Sequence, residues 1–169
     1  MTQSVEAPPK PFREGLHFED FELGQVLWSS RRTVTEGEIA VFAGLSGDYT
    51  ALHVDEEYAK KSPFRGRIAH GMLVWSIASG LAYQTGAFDG TVDALAGMGM
   101  DFVAPVYPGD TIRLRLEVAS KAPDPSPRNG LIVFQCQVFN QKDHLTVNGE
   151  LKMLIRRRKR RAREAQDAP

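Results

Sequence analysis

The sequence predicts an α+β fold in which a curved antiparallel sheet wraps around a long buried central helix. Three observations carry this. Over residues 69–84, Met72, Leu73, Val74, Trp75, Ile77, Ala78, Leu81, Ala82 and Tyr83 cover almost every face, and a helix that is apolar all round is a buried one. Residues 111–118 alternate strictly, with Ile112, Leu114, Leu116 and Val118 on one side and Arg113, Arg115 and Glu117 on the other. That is the pattern of a half-buried antiparallel strand. Two more extended runs, 131–140 and 145–155, follow across a Pro/Gly-rich turn at 123–130 and a tighter one at 140–144, so these strands are expected as hairpins.

The rest of the chain is assigned in order. Residues 1–16 are expected to form a flexible arm, 17–155 one domain, and 156–169 a basic tail. Gly24-Gln25 turns into a strand over 26–33. Thr35, followed three residues later by Glu38, is a capping box. Ile39, Val41, Phe42 and Leu45 then make a short amphipathic helix that stops at 44–47. A Gly/Ser-rich turn holding Asp48 and His53 comes next. Asp55 caps a surface helix over 55–61 whose acids crowd its positive end, and Ser62-Pro63 ends it. Phe64-Arg65-Gly66-Arg67 is expected as a basic, exposed loop. After 86–90 the pattern becomes extended, with a strand from Ala96 running towards a turn at Tyr107-Pro-Gly-Asp110. One strand before the buried helix and a meander of four after it describe a hot-dog fold.

Length and composition narrow the function. At 169 residues the chain fits one domain, and its apolar and charged fractions are those of an ordinary globular protein. The N-terminus has no basic segment leading into an apolar one, so no secretory signal is expected. The longest apolar run, at 72–83, is too short and too interrupted by Ser and Gly to span a bilayer. The single cysteine, Cys136, excludes an intrachain disulfide and is assigned to a buried strand position. A cytoplasmic setting is expected. The net charge of zero conceals a division. Residues 156–163 carry seven of the 21 basic residues, which leaves 14 basic against 19 acidic ones up to Ile155 and a net charge of −5. Such a tail could bind a polyanion. It lacks interleaved aromatic residues and any RNA-binding signature, so it is taken as a solvated extension and no nucleic-acid partner is expected.

The chemistry-bearing residues gather between 44 and 81. Asp48 and His53 lie five residues apart in a turn between two short helices, and neither belongs to an amphipathic face. Thr50 offers a hydroxyl in the same turn. Gly71, near the start of the buried helix, lets a substrate oxygen approach a backbone N–H closely, helped by the positive end of the helix; it would equally allow close packing of helix on sheet. His70 reads as structural or orienting. Ser79, two turns further on, is placed to bond inward to the Asp48 turn or simply to pack. A carboxylate, an imidazole and oriented donors are the parts needed to move protons while holding a developing oxyanion. There is no Gly-x-Ser-x-Gly elbow, no phosphate loop and no His/Cys ligand spacing. No metal and no cofactor are expected.

Ser46-Gly-Asp48-Tyr-Thr-Ala-Leu-His53-Val-Asp55, with Ile68-Ala-His70-Gly71-Met72-Leu73 and Ser79-Gly80-Leu81, resembles the hydratase-2 motif of MaoC-like dehydratases, the (R)-specific enoyl-CoA hydratases. The likeness extends through residues 100–110 and covers 20–155. It implies a hot-dog fold, a dimer or higher assembly, and syn hydration of trans-2-enoyl thioesters to (3R)-hydroxyacyl thioesters. It also implies roles: Asp48 and His53 share one water, Gly71 supplies an oxyanion-hole N–H, and Ser79 stands at the family's orienting position. The family's usual Asn-Pro is here Thr50-Ala51, which keeps a hydroxyl but loses an amide. The proton-transfer pair is intact, so activity is expected.

The leading reading is therefore a hydratase of acyl-CoA thioesters, with Arg65 and Arg67 placed to meet the phosphates of CoA. The alternatives are a hot-dog acyl-CoA thioesterase, and a non-catalytic subunit that shapes the acyl tunnel of an active partner. Trp75, Met72, Met98 and Met100 would line such a tunnel or belong to the core.

Overall fold

The computed structural model describes residues 14–123 and 127–158. Six strands, β1 (Val26–Trp28), β2 (Arg32–Thr33), β3 (Val92–Phe102), β4 (Thr111–Pro123), β5 (Asn129–Phe139) and β6 (Leu145–Arg156), form one antiparallel sheet. Between β2 and β3 lie α1 (Glu36–Ser46), α2 (Ala51–Val54), α3 (Glu56–Lys61) and α4 (Gly71–Tyr83), and a single 3-10 turn, Phe18–Asp20, precedes β1. The sheet curves around α4, which is the hot-dog architecture.

Alternation builds the concave face. Ile112, Leu114, Leu116 and Val118 of β4 and Ile132, Phe134, Cys136 and Val138 of β5 are all buried. The register sets Leu114 opposite Val138, Leu116 opposite Cys136 and Val118 opposite Phe134. Burial pushes the Cys136 thiol up to about 12, so it is an inert core residue. α4 lays Leu73, Val74, Trp75, Ile77, Ala78, Leu81 and Ala82 into the same core. Each large apolar side chain buried this way stabilises the fold by roughly 1.5–3 kcal/mol. The helix is not covered on every side. Met72, Ser76, Ser79 and Tyr83 form one exposed stripe, and the two serines mark the side of the helix that the core does not reach.

Local signals explain the shorter helices. Thr35 accepts from Glu38 N–H at 3.3 Å, and the Glu38 carboxylate accepts from Thr35 N–H at 2.7 Å, so the capping box is formed. α1 buries Ile39 and Ala43, one turn apart, and leaves Val41 and Leu45 exposed on the opposite side. Asp55 caps α3 by accepting from Tyr58 N–H at 3.0 Å.

Two features of the sheet differ from the sequence expectation. The strand at 26–33 is broken in two, because Ser29 replaces a ladder bond: its Oγ accepts from Leu114 N–H at 2.9 Å. Trp28 pairs with Arg115 while Arg32 pairs with Ile112, so the outer strand carries one extra residue. The strands after α4 are also not one continuous meander. β4, β5 and β6 are consecutive neighbours, but β3 pairs with β6 at the far edge, giving the order β1–β4–β5–β6–β3. The connector 103–110 carries the chain from the β3 edge across to β4, next to the opposite edge. It is tied down on the way, with Ala69 N–H donating to Val106 O at 2.8 Å and Val34 N–H to Asp110 O at 2.8 Å. This crossing sets one wall of the functional cleft.

The folded body continues past both expected boundaries. Gly15 and Leu16 donate backbone bonds of 2.8 Å to Asp89 O and Ala87 O, and a Cβ on Gly15 would sit 2.6 Å from Asp89 N. At the other end Arg158 reaches Asp20 at 2.7 Å. The rest of the expected arm and tail, 1–13 and 159–169, lies outside the described residues. Among the described residues no helix is long and apolar enough to cross a membrane.

Candidate active site

The acid is set by the end of α1. Gly47 takes the left-handed conformation (φ 76°) that closes the helix, its N–H donating to Ala43 O, and Asp48 N–H then donates to Ser46 Oγ at 3.2 Å. Asp48 Oδ1 accepts twice from Thr50, from the hydroxyl at 2.6 Å and the backbone N–H at 3.1 Å. The Thr50 hydroxyl, then the Thr50 N–H, hold the Asp48 carboxyl below the usual carboxylate range, with smaller help from His70 and His53. The exposed carboxylate is thus ionised at neutral pH. In place of the family's asparagine, Thr50 grips the acid directly.

α2 carries His53. A carbonyl oxygen can only accept, so the 2.8 Å contact between His53 Nδ1 and Ile68 O puts a proton on Nδ1 and leaves the lone pair of the neutral ring on Nε2. His70, only 2% exposed, stands behind both groups. Its Nε2–H donates to Asp48 O at 2.9 Å, and its ring lies 3.9 Å from the His53 ring and 5.1 Å from Phe42, centroid to centroid. One donor atom each of Asp48, His53 and His70 falls within 4.8 Å of the others. His70 therefore ties the acid loop to the imidazole, a connection invisible in the sequence because it runs through a main-chain oxygen.

These groups sit at the head of a cleft of about 420 Å³. Its walls are mostly apolar: Phe42 from α1, Phe64 from the loop after α3, Val74 from α4, Phe102 from β3, and Val103 and Val106 from the connector. Gly71 is the first residue of α4 and also lines the cleft. First-turn N–H groups of a helix have no partner within it and carry the positive end of its dipole. Close packing at Gly71 is real as well, since a Cβ there would come within 2.7 Å of the Phe102 ring.

Of the residues singled out from the sequence, Asp48, Thr50, His53, His70 and Gly71 come together. Ser79 does not. Its exposed hydroxyl donates to Ser76 O of its own helix at 2.8 Å, because 79 falls on the stripe of α4 that faces away from the core. Arg67 is not free for an anionic ligand. Its guanidinium is paired with Glu36 and with Glu56, the latter at 3.0 Å, so it clamps α1 to α3 around the His53 turn. Arg65 is exposed, at a positive φ of 60°, and lines a shallow groove of about 570 Å³ with Lys60, Lys61, Ser62 and Pro63. Met72 lines the cleft, whereas buried Trp75 donates its indole N–H to Met98 Sδ at 3.3 Å. The sequence reading did not pick out Phe64 or Phe102 as walls of the site; an aromatic residue flanking each motif was the available signal.

A family model described as "MaoC like domain" matches residues 20–128. The chain belongs to the MaoC-like dehydratase family. It is 33% identical to the (R)-specific enoyl-CoA hydratase of Aeromonas caviae over 132 residues, which cover 78% of this chain and 93% of that one. It is 40% identical to Protein MaoC of Klebsiella aerogenes over 114 residues, 66% of this chain but only 32% of the relative, so the chain spans about a third of that longer protein. Among solved structures it is similar to the R-hydratase PhaJ1 of Pseudomonas aeruginosa, with a TM-score of 0.72, 30% identity and coverage of 92% of this chain and 95% of that one. Hydratases and dehydratases of this kind are hydro-lyases acting on acyl thioesters.

Proposed function

We propose that the protein is an (R)-specific enoyl-CoA hydratase, adding water syn across trans-2-enoyl thioesters and catalysing the reverse dehydration. The observation that carries this is the juxtaposition of the Asp48 carboxylate and the His53 imidazole with the N-terminal residue of α4, at the head of an apolar cleft. The acyl chain lies along the cleft and its thioester carbonyl accepts from Gly71 N–H. Asp48 is held ionised by Thr50, and the Nδ1 proton of His53 is committed to Ile68 O. Neither group therefore starts with a proton to spare. The proton that C2 receives is the one taken from water as hydroxide adds to C3, and both arrive from the face on which the two side chains stand. Charge building on the carbonyl oxygen is met by the Gly71 N–H, and His70 keeps the acid and the imidazole in register. The (R) outcome draws on the Aeromonas caviae relative, whose name states it.

Arg65, with Lys60 and Lys61, offers the positive groove for the phosphates of CoA. We further assign a homodimer. The edge of β3 and the α4 stripe leave Met72, Tyr83, Leu95, Met98, Phe102 and Val103 about half exposed, an apolar surface suited to a second copy, and one that would give Ser79 a partner. Asp48→Asn and His53→Ala should each lower turnover at least about a hundredfold, the lower range for losing a general acid or base, with melting temperatures unchanged. Near-wild-type rates in either would remove the mechanism. Release of free thiol from the substrate would favour a thioesterase instead.

A further inference from the structure

His53 rides on an element that the core does not hold. α2 is a single turn, Ala51–Val54, and none of its residues is buried. A helix this short has no stability of its own, so the place of the imidazole is set by what α2 is tied to. The segment before α4 supplies those ties. Ile68 N–H donates to Leu52 O at 3.1 Å, Ala69 N–H donates to Val106 O at 2.8 Å, and Ile68 O takes the Nδ1 proton of His53 at 2.8 Å. α1 and α3 flank α2 in the chain, and Arg67, the residue before that carbonyl, reaches both. Its Nε donates to Glu56 Oε2 at 3.0 Å and its terminal NH2 group to Glu36 Oε1. Glu36 and Glu56 open α1 and α3, where the positive end of each helix also favours a carboxylate. An isolated exposed ion pair holds little. Here one planar guanidinium, 23% exposed, joins two carboxylates in a fixed fork, and Glu56 is bound again by Lys60 at 3.9 Å.

We propose that Arg67 is a positioning residue for hydration: by locking α1 and α3 to the segment that carries Ile68 O, it fixes the tautomer and direction of the His53 ring. The kinetic consequence rests on the hydratase reading; the structural one does not. Arg67 is not among the residues that line the cleft, so its effect passes through Ile68 and His53. Without the guanidinium the frame around α2 loosens, and water competes with Ile68 O for the Nδ1 proton. A neutral ring whose proton moves to Nε2 has no lone pair there and cannot take the proton from water. A loosened base lowers turnover. Substrate binding is left alone, because the apolar walls and Gly71 are untouched.

The test uses the full-length protein. Arg67→Gln should lower kcat for crotonyl-CoA about tenfold, the scale expected when a reacting group is loosened rather than removed, and leave KM at the wild-type value. Arg67→Lys keeps the charge without the fork, and its kcat should fall between the two. In a background of Glu36→Gln with Glu56→Gln, Arg67→Gln should lower kcat no further. Nitrogen-15 NMR of the neutral His53 ring, assigned with His53→Asn, gives a readout that general destabilisation does not move. Nδ1 should carry the proton in the wild type, and Arg67→Gln should show a mixture of tautomers. Melting curves of the Arg67 variants should stay close to the wild type. Unchanged kcat in Arg67→Gln, or a fall in kcat with the His53 ring signals unaltered, overturns the role. A raised KM with kcat unchanged also overturns it and gives Arg67 to the phosphates of CoA. If the wild type fails to hydrate crotonyl-CoA, the hydratase reading falls and the ring signals alone decide. A tautomer shift in Arg67→Gln then upholds the clamp, and its absence overturns it.

Discussion

Gly71 has two roles, packing and oxyanion binding, and substitution separates them. In Gly71→Ala the new methyl would lie 2.7 Å from Cε1 and Cζ of Phe102, where carbon atoms ordinarily rest about 3.5–4.0 Å apart. The ring must retreat by roughly 1 Å. Overpacking of this kind costs about 1–3 kcal/mol. Phe102 is half exposed at the end of β3 and can swing outward, which places the cost near the lower end, about 1–2 kcal/mol. For a chain of this size that lowers the melting temperature by roughly 2–8 °C. In a Phe102→Ala background the clashing atoms are gone, so Gly71→Ala should be close to neutral. The double-mutant cycle should show a coupling of about 1–2 kcal/mol, read by thermal or urea denaturation. Turnover should behave differently: the methyl still crowds the thioester carbonyl in the double variant, so hydration stays depressed although stability recovers. Equal destabilisation in both backgrounds would refute the packing argument, and full hydration in Gly71→Ala would refute the oxyanion role.

Other consequences are as direct. Thr50→Val removes the bond that most lowers the Asp48 carboxyl, so its titration, followed by carboxyl-carbon NMR, should move up towards the ordinary aspartate value, while Thr50→Ser keeps it low. The sign follows from linkage: a depressed carboxyl favours the folded state above its unfolded value and loses that contribution as pH falls through the folded one. The variant, in which the two values approach each other, should therefore show less of this contribution at neutral pH and a weaker loss of stability in acid. Arg65→Ala combined with Lys61→Ala should raise KM for crotonyl-CoA and leave crotonyl-pantetheine unchanged. Arg67→Gln should instead leave KM alone and cost at most about 1 kcal/mol per exposed ion pair; a KM effect confined to Arg67 would reverse this assignment. Leu81→Ala, at a site 1% exposed, should destabilise the fold by about 2–5 kcal/mol, measured by urea denaturation.

Much of this was legible in the sequence where a short-range pattern determines structure. The Thr35–Glu38 capping box, the Asp55 cap and the alternation in β4 depend on residues within a few positions of one another, and each forms as written. Asp48 and His53 could be named because they break the amphipathic patterns around them. What escaped depends on the third dimension. β3 leaves the meander because the 103–110 connector is bound to Ala69 and Val34, contacts remote in sequence. Arg67 looks like an exposed loop residue until Glu36, 31 positions away, is folded against it. Ser79, two turns along the buried helix, could equally be given an inward bond or a packing role, yet α4 turns it to the exposed stripe. His70 could be noticed but not understood, since its partners are the Asp48 main chain and the face of another ring.

The most direct test of the central claim is hydration of crotonyl-CoA in deuterated water, with loss of the conjugated thioester absorbance followed by chiral and NMR analysis of the product. The account predicts (3R)-hydroxybutyryl-CoA with one deuterium at C2, on the same face as the new hydroxyl, and no such product from Asp48→Asn. An (S) alcohol, deuterium on the opposite face, or free thiol in place of a hydroxyacyl thioester would contradict it.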